Sequence, residues 1–136
     1  MSTKIFVNLP VKDLAKSKEF FSRLGYSFNP QFSDENAVCL VISDDIFAML
    51  LTEPFFKSFT KKEIADSRTS TETMIALSAE GRAEVDELAD KALAAGGQPA
   101  GDPQDYGFMY SRSFYDLDDH HWEVVWMDMS AVEQQG

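Results

Sequence analysis

The residues best suited to chemistry lie near the C-terminus, in the run from Phe114 to Met127. Glu123 stands there among tryptophan, valine and methionine residues, in a stretch whose composition predicts a strand. Because a buried carboxylate without a partner is costly, Glu123 should face water, a partner or a ligand. His121, two residues earlier, shares its face of the strand. Glu123 is therefore the candidate general base, or the polar anchor of a bound molecule.

Composition and charge narrow the classes of function. The 136 residues are 44% hydrophobic and 26% charged, which predicts a single globular domain over residues 1–136. The net charge of −11 argues against nucleic acid and against anionic membranes as partners. The apolar runs are too short to span a bilayer, and the first residues lack the apolar core of a signal peptide. Cys39, the only cysteine, favours a reducing compartment, so we expect a cytoplasmic protein with Cys39 as a buried hydrophobe.

The periodicity of the chain predicts strands and two long helices. Asp13 can cap the first helix, and Gly25 suits the position just beyond its end. The connector 54–70 interrupts the pattern, and Thr60 with Glu63 forms a capping box that predicts a short helix there, packed over the core or over a pocket. The elements predicted in the first half are strands at Lys4–Pro10, Tyr26–Phe32, Ala37–Ile42 and Ile46–Thr52 and a helix at Leu14–Leu24. Those predicted in the second half are strands at Thr71–Leu77, Gln98–Ala100, Gly107–Tyr115 and His120–Met127 and a helix at Arg82–Ala95.

These elements form an internal repeat. Both halves read β-α-β-β-β, and the pair Asp44–Asp45 precedes a strand in the first half as Asp118–Asp119 does in the second. Such acidic pairs favour tight turns. The repeat predicts module one at about 4–53, module two at about 71–128 and a polar tail at 129–136. The alignment pairs Phe6 with Met74 and Met49 with Glu123.

Two motifs at the ends of this repeat resemble those of a known family. The run from Phe6 to Leu14 is similar to an opening motif His-x-x-Leu-x-Val-x-Asp-Leu, with Phe6 in place of histidine, and Phe114 to Glu123 is similar to a closing motif Phe-x-Asp-Pro-Asp-Gly-x-x-x-Glu. Both belong to the vicinal oxygen chelate superfamily of glyoxalase I, extradiol dioxygenases, fosfomycin-resistance proteins and bleomycin-binding proteins. The resemblance implies an α+β fold in which duplicated βαβββ modules form a glyoxalase-like half-barrel or barrel that encloses a cavity. It also implies a homodimer and, through relatives labelled predicted lactoylglutathione lyases, a lyase or isomerase.

The resemblance also places a metal site, with two ligands from each module. Those four positions fall at Phe6, Met49, Met74 and Glu123. A divalent zinc, nickel, manganese, iron or magnesium ion needs about three nitrogen or oxygen ligands, so we expect no metal cofactor. Two alternatives stay open: His121 and Asn8 could join Glu123 in a rebuilt site, or Glu72 could act in place of Met74.

The favoured hypothesis is a mostly apolar cavity that binds a small organic molecule, aromatic or cationic, without a metal ion. Phe6, Met49 and Met74 would line it, with core filling as the alternative for each. Tyr110 and Arg112 share a face and would add polar contacts if that face points inward. The alternative is a lactoylglutathione lyase-like enzyme with a rebuilt or partial metal site, and a third hypothesis is a metal-free enzyme that uses Glu123 as its base.

Overall fold

A computed structural model describes residues 3–130, and the chain divides into two compact units with their boundary between Asp66 and Ser67. Each unit contains a sheet and a long helix, unit one in βαβββ order and unit two in the same order with one short strand added, which confirms the predicted α+β class and its duplicated modules. No helix among the described residues is long and apolar enough to cross a membrane. The part of the predicted polar tail beyond Ser130 lies outside the described residues.

Unit one contains a four-stranded sheet with the order β1-β4-β3-β2. Strands β1 and β4 are parallel, and the other pairs are antiparallel. A single 3-10 turn at Pro30–Phe32 occupies the end of the predicted second strand, which is therefore shorter than expected. The elements of this unit are β1 (Ile5–Val11), α1 (Leu14–Arg23), β2 (Ser27–Asn29), β3 (Ala37–Val41), β4 (Ile46–Thr52) and α2 (Glu53–Lys57).

Helix α1 begins where the sequence predicts and ends one residue early. The Asp13 carboxylate accepts a hydrogen bond from the Lys16 backbone N–H at 3.0 Å, which confirms the predicted cap. Gly25 follows the helix with a φ of +103°, a left-handed conformation that glycine adopts without strain. Phe20 and Phe21 are at most 2% exposed, and burying each side chain contributes about 2 kcal/mol.

The sheet of unit one buries the central part of one face. Leu9 of β1 and Ala48 and Leu50 of β4 are at most 2% exposed, and they alternate with more exposed neighbours. Because side chains alternate across a strand, Asn8 and its register partner Met49 lie on the opposite face. That second face carries Phe6, Asn8 and Met49, the candidate site residues of this unit.

The connector departs from the prediction. Helix α2 follows β4 directly, with Pro54 in its first turn, where the missing proline N–H is tolerated. The helix predicted from Thr60 and Glu63 is wrong. The Thr60 N–H that a capping box would use is instead bonded to the Lys57 carbonyl at 3.3 Å, so it belongs to the turn that ends α2.

Unit two contains a sheet with the order β5-β9-β8-β6, and β7 pairs with β8. Strand β5 begins at Met74, later than the predicted Thr71, and β7 lies in a stretch predicted as a loop. The predicted helix is confirmed and ends one residue early. The elements are β5 (Met74–Ser78), α3 (Arg82–Ala94), β6 (Gln98–Pro99), β7 (Gln104–Asp105), β8 (Met109–Tyr115) and β9 (His121–Met127).

Arg82, the first residue of α3, holds the β7 segment in place. Its guanidinium donates two hydrogen bonds to the Asp105 carboxylate, both at 2.8 Å, and lies 5.1 Å from the ring centre of Tyr110 and 5.3 Å from that of Trp126. The side-chain hydrogen bonds from Arg82 lower the pKa of Asp105 to about 2. This contact explains why a Gly- and Pro-containing loop pairs with β8.

The two sheets repeat the same register. In unit one Met49 pairs with Asn8, and in unit two Glu123 pairs with Ala76. Two residues earlier, Phe6 pairs with Phe47, and Met74 pairs with His121. The sequence alignment of Phe6 with Met74 and of Met49 with Glu123 therefore agrees with the strand pairing.

Candidate functional site

The turn between β8 and β9 is organised by Asp116. One carboxylate oxygen accepts hydrogen bonds from the backbone N–H groups of Asp118 (2.9 Å) and His120 (3.0 Å), and the other accepts from Trp122 Nε1 (2.9 Å). Asp119 has a φ of 63°, as the predicted acidic turn requires. Burial raises the pKa of Asp116, against the lowering effect of the nearby His120 and of these hydrogen bonds. Asp116 thus fixes the start of β9 and the register of Glu123.

Glu72, a candidate metal ligand from the sequence, contacts His120, which was not among the candidate site residues. Its carboxylate lies 2.6 Å from Nδ1 of the buried His120 and accepts a hydrogen bond from the Ser67 hydroxyl at 2.9 Å. Burial raises the pKa of Glu72, but hydrogen bonds from its own backbone, from His120 and from Ser67 outweigh burial and lower it. The Ser67 hydroxyl donates to Glu72 and lies 3.4 Å from His120 Nδ1, but that nitrogen faces the Glu72 carboxylate at 2.6 Å, so this trio does not have the arrangement of a nucleophilic triad.

Glu123 lies on the sheet face opposite the buried core of unit two, together with His121 and Met74. Its carboxylate is 3.7 Å from His121 Nε2. This nitrogen is buried and has no hydrogen-bond partner among the described residues. The Glu123 side chain is 39% exposed, so it faces outward from its apolar strand, in agreement with the expectation that it should not be buried without a partner. The alternation of the strand gives the physical reason, since Trp122 and Val124 turn into the core and Glu123 turns away from it.

Tyr110 and Arg112 are not brought to Glu123. They project from the other face of β8 towards α3, where the Tyr110 hydroxyl donates to Asp86 at 2.6 Å and Arg112 donates to Asp86 (3.1 Å) and Asp90 (2.8 Å). The hydrogen bond from Tyr110 is the main cause that lowers the pKa of Asp86. Tyr110 and Arg112 were expected to contact a ligand only if their face pointed inward. Their face points towards α3 instead, so they stabilise the packing of α3 on the sheet.

The predicted apolar wall is more exposed than expected. Phe6 is 46% exposed and stacks on Phe47 with ring centres 4.9 Å apart, and Met74 is 63% exposed. Core filling, the alternative for these positions, is wrong for Phe6 and Met74, because both lie on edge strands with their side chains on the face away from the core. Met49 is half-buried in the middle of its sheet.

A cavity of about 400 Å³ lies within unit one, between the sheet face that carries Asn8 and the connector. Helix α2 packs on β1 and β4 at this place. We call it the connector cavity; its lining residues are Asn8, Leu51, Phe56, Phe59 and Thr60.

Asn8 is the one member of this set that the sequence singles out as a site residue. The signal for the others was the run of aromatic residues in the connector, which predicted packing over the core or over a pocket without deciding between them. A second cavity, of about 500 Å³ and on the α1 side of the same sheet, is lined by Lys18, Phe28, Pro30, Ser33, Asp34 and Val38.

The residues present do not fit a divalent metal ion. Of the four positions at which the superfamily would place ligands, Phe6, Met49 and Met74 carry no nitrogen or oxygen donor in their side chains. Across residues 3–130, no group of three or more His, Cys, Asp or Glu side chains is arranged to hold a metal ion. Cys39 is fully buried in its strand, as predicted, and burial raises the pKa of its thiol.

One family model and several solved structures match this chain. Residues 3–43 match the family described as bleomycin resistance protein-like N-terminal. A hypothetical protein from S. aureus is 31% identical, with a TM-score of 0.77 over 92% of this chain and 94% of that chain. A glyoxalase/bleomycin resistance protein/dioxygenase family enzyme from Burkholderia phytofirmans PsJN is 13% identical, with a TM-score of 0.76 over 93% and 99% of the two chains. The fosfomycin resistance protein FosX from Listeria monocytogenes is 23% identical, with a TM-score of 0.65 over 92% and 90%. No curated protein matches the sequence.

Proposed function

Because this chain belongs to the vicinal oxygen chelate superfamily of glyoxalase/bleomycin resistance proteins and dioxygenases, we propose that it binds a small organic molecule without the metal ion of its metal-using relatives. The observation that carries the proposal is the connector cavity of unit one. Its volume of about 400 Å³ is in the range of ordinary ligand pockets.

The lining of the connector cavity also supports the proposal. Phe56, Phe59 and Leu51 form an apolar wall, and Asn8 and Thr60 supply polar groups at its border. Ligand pockets commonly combine a large apolar wall with a few polar groups that orient the ligand. Phe59 is 70% exposed, so a bound ring that covers it would remove apolar surface from water.

A thermal-shift screen of aromatic compounds and antibiotics tests this proposal, because a ligand that binds only the folded state raises the melting temperature. We expect a stabilising compound whose affinity falls about tenfold in Phe59→Ala, since covering an aromatic side chain contributes about 1.5 kcal/mol or more. Phe59 is exposed, so the substitution should leave the fold intact.

Phe32→Ala is the matched control, because Phe32 is also exposed, at 58%, and lies in the same unit but does not line the connector cavity. If Phe59→Ala binds every stabilising compound as tightly as the Phe32→Ala control does, the connector cavity is not the binding site. A screen without any stabilising compound would argue against a binding protein altogether.

The His121–Glu123 pair favours a second candidate, a glyoxalase-like lyase with a partial divalent-metal site. The two side chains share one face and lie 3.7 Å apart, so both could ligate the same ion. They provide two ligands where about three are needed, which is why this candidate ranks second. Glu123 is also the candidate base for a metal-free reaction and the candidate anchor for a cationic molecule.

The proposal includes a cytoplasmic location and a homodimer. The lone Cys39 and the net charge of −11 support a soluble protein of a reducing compartment. The resemblance to the superfamily supports the homodimer, which light scattering would measure directly; a monomeric mass would contradict it.

A further inference from the structure

The polar groups of the connector cavity are uncharged. Its border offers an amide at Asn8 and a hydroxyl at Thr60, and its five lining residues include no Lys, Arg, His, Asp or Glu. We infer that this cavity selects a neutral aromatic ligand that carries an amide-type hydrogen-bonding group. The inference rests on the proposed function, in that it assumes that the connector cavity is a binding site.

Lys57 and Glu63, two charged residues of the connector, pair with each other and do not line the cavity. Lys57, in α2, donates a hydrogen bond to the Lys62 carbonyl and lies 3.6 Å from the Glu63 carboxylate. A charged ligand in the connector cavity would lose water without gaining an opposite charge among the lining side chains, and such desolvation is costly. Both cations and anions are therefore disfavoured against a neutral molecule of the same shape.

Asn8 is suited to recognise an amide. A side-chain amide presents one acceptor oxygen and two N–H donors, so it can form a paired hydrogen bond with another amide. Strand β1 fixes the position of Asn8 through its pairing with Met49 of β4. Thr60 is fixed as well, because its Oγ1 accepts a hydrogen bond from the Lys62 backbone N–H at 3.2 Å, and its hydroxyl proton can still be donated.

The aromatic wall is suited to a flat ring. Phe55 contacts Phe59 edge-on, with ring centres 5.0 Å apart and planes at 75°, and this contact orients the Phe59 ring. Aromatic rings associate by offset stacking or edge-to-face packing. A ligand ring at this wall would meet oriented Phe59 and half-buried Phe56, with its polar group towards the border of the cavity.

Three probes of equal shape test the charge selection: benzamide, which is neutral, benzamidinium, a cation, and benzoate, an anion. Their affinities are measured by two-dimensional amide NMR titration of the full chain at neutral pH, which also locates the site from the residues that shift. We expect benzamide to shift the connector-cavity residues, and both charged probes to bind at least about tenfold more weakly. Equal or tighter binding of either charged probe in the cavity overturns the inference.

Asn8→Asp supplies a sharper test, because it introduces a negative charge at the border of the cavity with little change in shape. It should reverse the order, so that benzamidinium binds more tightly than benzamide. Asn36→Asp is the matched control, since it makes the same charge change at an exposed residue outside the cavity and should leave the order unchanged.

An unchanged order in Asn8→Asp, shifts confined to the second cavity around Phe28, or no benzamide binding at all would each overturn the inference. The proposed function would survive those results if the wider screen still found a ligand that depends on Phe59. The proposed function itself fails if the wider screen finds no ligand that depends on Phe59.

Discussion

Asp116→Ala should lower the free energy of unfolding by about 3 kcal/mol, because it removes a buried carboxyl group that accepts several hydrogen bonds. Asp116 is 6% exposed and accepts three hydrogen bonds, one of them from the indole of Trp122, which is itself 1% exposed. Without the carboxylate, the buried Trp122 N–H and His120 backbone N–H would lose the hydrogen bonds that Asp116 accepts. Urea unfolding followed by tryptophan fluorescence measures the change.

Asp102→Ala is the control for this substitution, because Asp102 is exposed in a loop of the same unit. Exposed substitutions of this kind usually change stability by less than about 0.5 kcal/mol. A loss below about 1 kcal/mol in Asp116→Ala would mean that the turn before Glu123 is held by other contacts.

Gly97→Ala should destabilise unit two by about 2–3 kcal/mol, because an added methyl group has no room. A Cβ at Gly97 would lie 2.7 Å from the Tyr115 carbonyl oxygen and 2.9 Å from the Ala92 carbonyl oxygen. Both are backbone atoms, in β8 and α3, so neither can move aside as a flexible side chain would. Denaturant unfolding measures the loss.

Gly101→Ala is the matched control for this steric effect. A Cβ there meets only the Ser113 hydroxyl oxygen, at an ordinary contact distance of 3.8 Å, so the substitution should be close to neutral. If both variants were equally stable, the close packing of α3 against the end of β8 would be wrong.

The repeat was predictable because its signals are local. The Asp118–Asp119 turn, the Asp13 cap and the glycine after α1 each depend on a few neighbouring residues, and each lies where the sequence places it. These turns set the register of the strands that follow them. Counting residues from each acidic pair was therefore enough to predict that Met49 and Glu123 are equivalent.

The face of β8 could not be predicted in the same way. Tyr110 and Arg112 alternate with Ser111 and Ser113, so both faces carry polar groups and the pattern does not say which one meets α3. The deciding contacts come from Asp86 and Asp90, more than twenty residues away. Long-range ion pairs of this kind are invisible to periodicity.

The connector helix was misplaced for a different reason. Thr60 and Glu63 have the spacing of a capping box, but that signal assumes that the Thr60 backbone N–H is available. In the structure α2 has already formed and its last turn uses that N–H. The same shift places Phe56 and Phe59 on the connector cavity, which is why most of its lining was missed.

The exposure of Glu123 shows the limit of arguing from one strand. The sequence predicted that Glu123 faces water, a partner or a ligand without deciding among them, and in the structure its side chain is more than a third exposed. The role of Glu123 therefore depends on which molecule or ion it contacts. The superfamily's motif alone would predict a metal ion.

The metal content of the purified protein is the most direct test of the proposal that the chain binds a small organic molecule without a metal ion. The protein is purified from cells grown with added zinc, nickel, manganese and iron, desalted, and measured by mass spectrometry of the elements. We predict far less than one metal ion per chain, with no difference between the wild type and Glu123→Gln, because Phe6, Met49 and Met74 supply no nitrogen or oxygen ligand. One tightly held ion per chain that Glu123→Gln loses would contradict this account and favour the lyase.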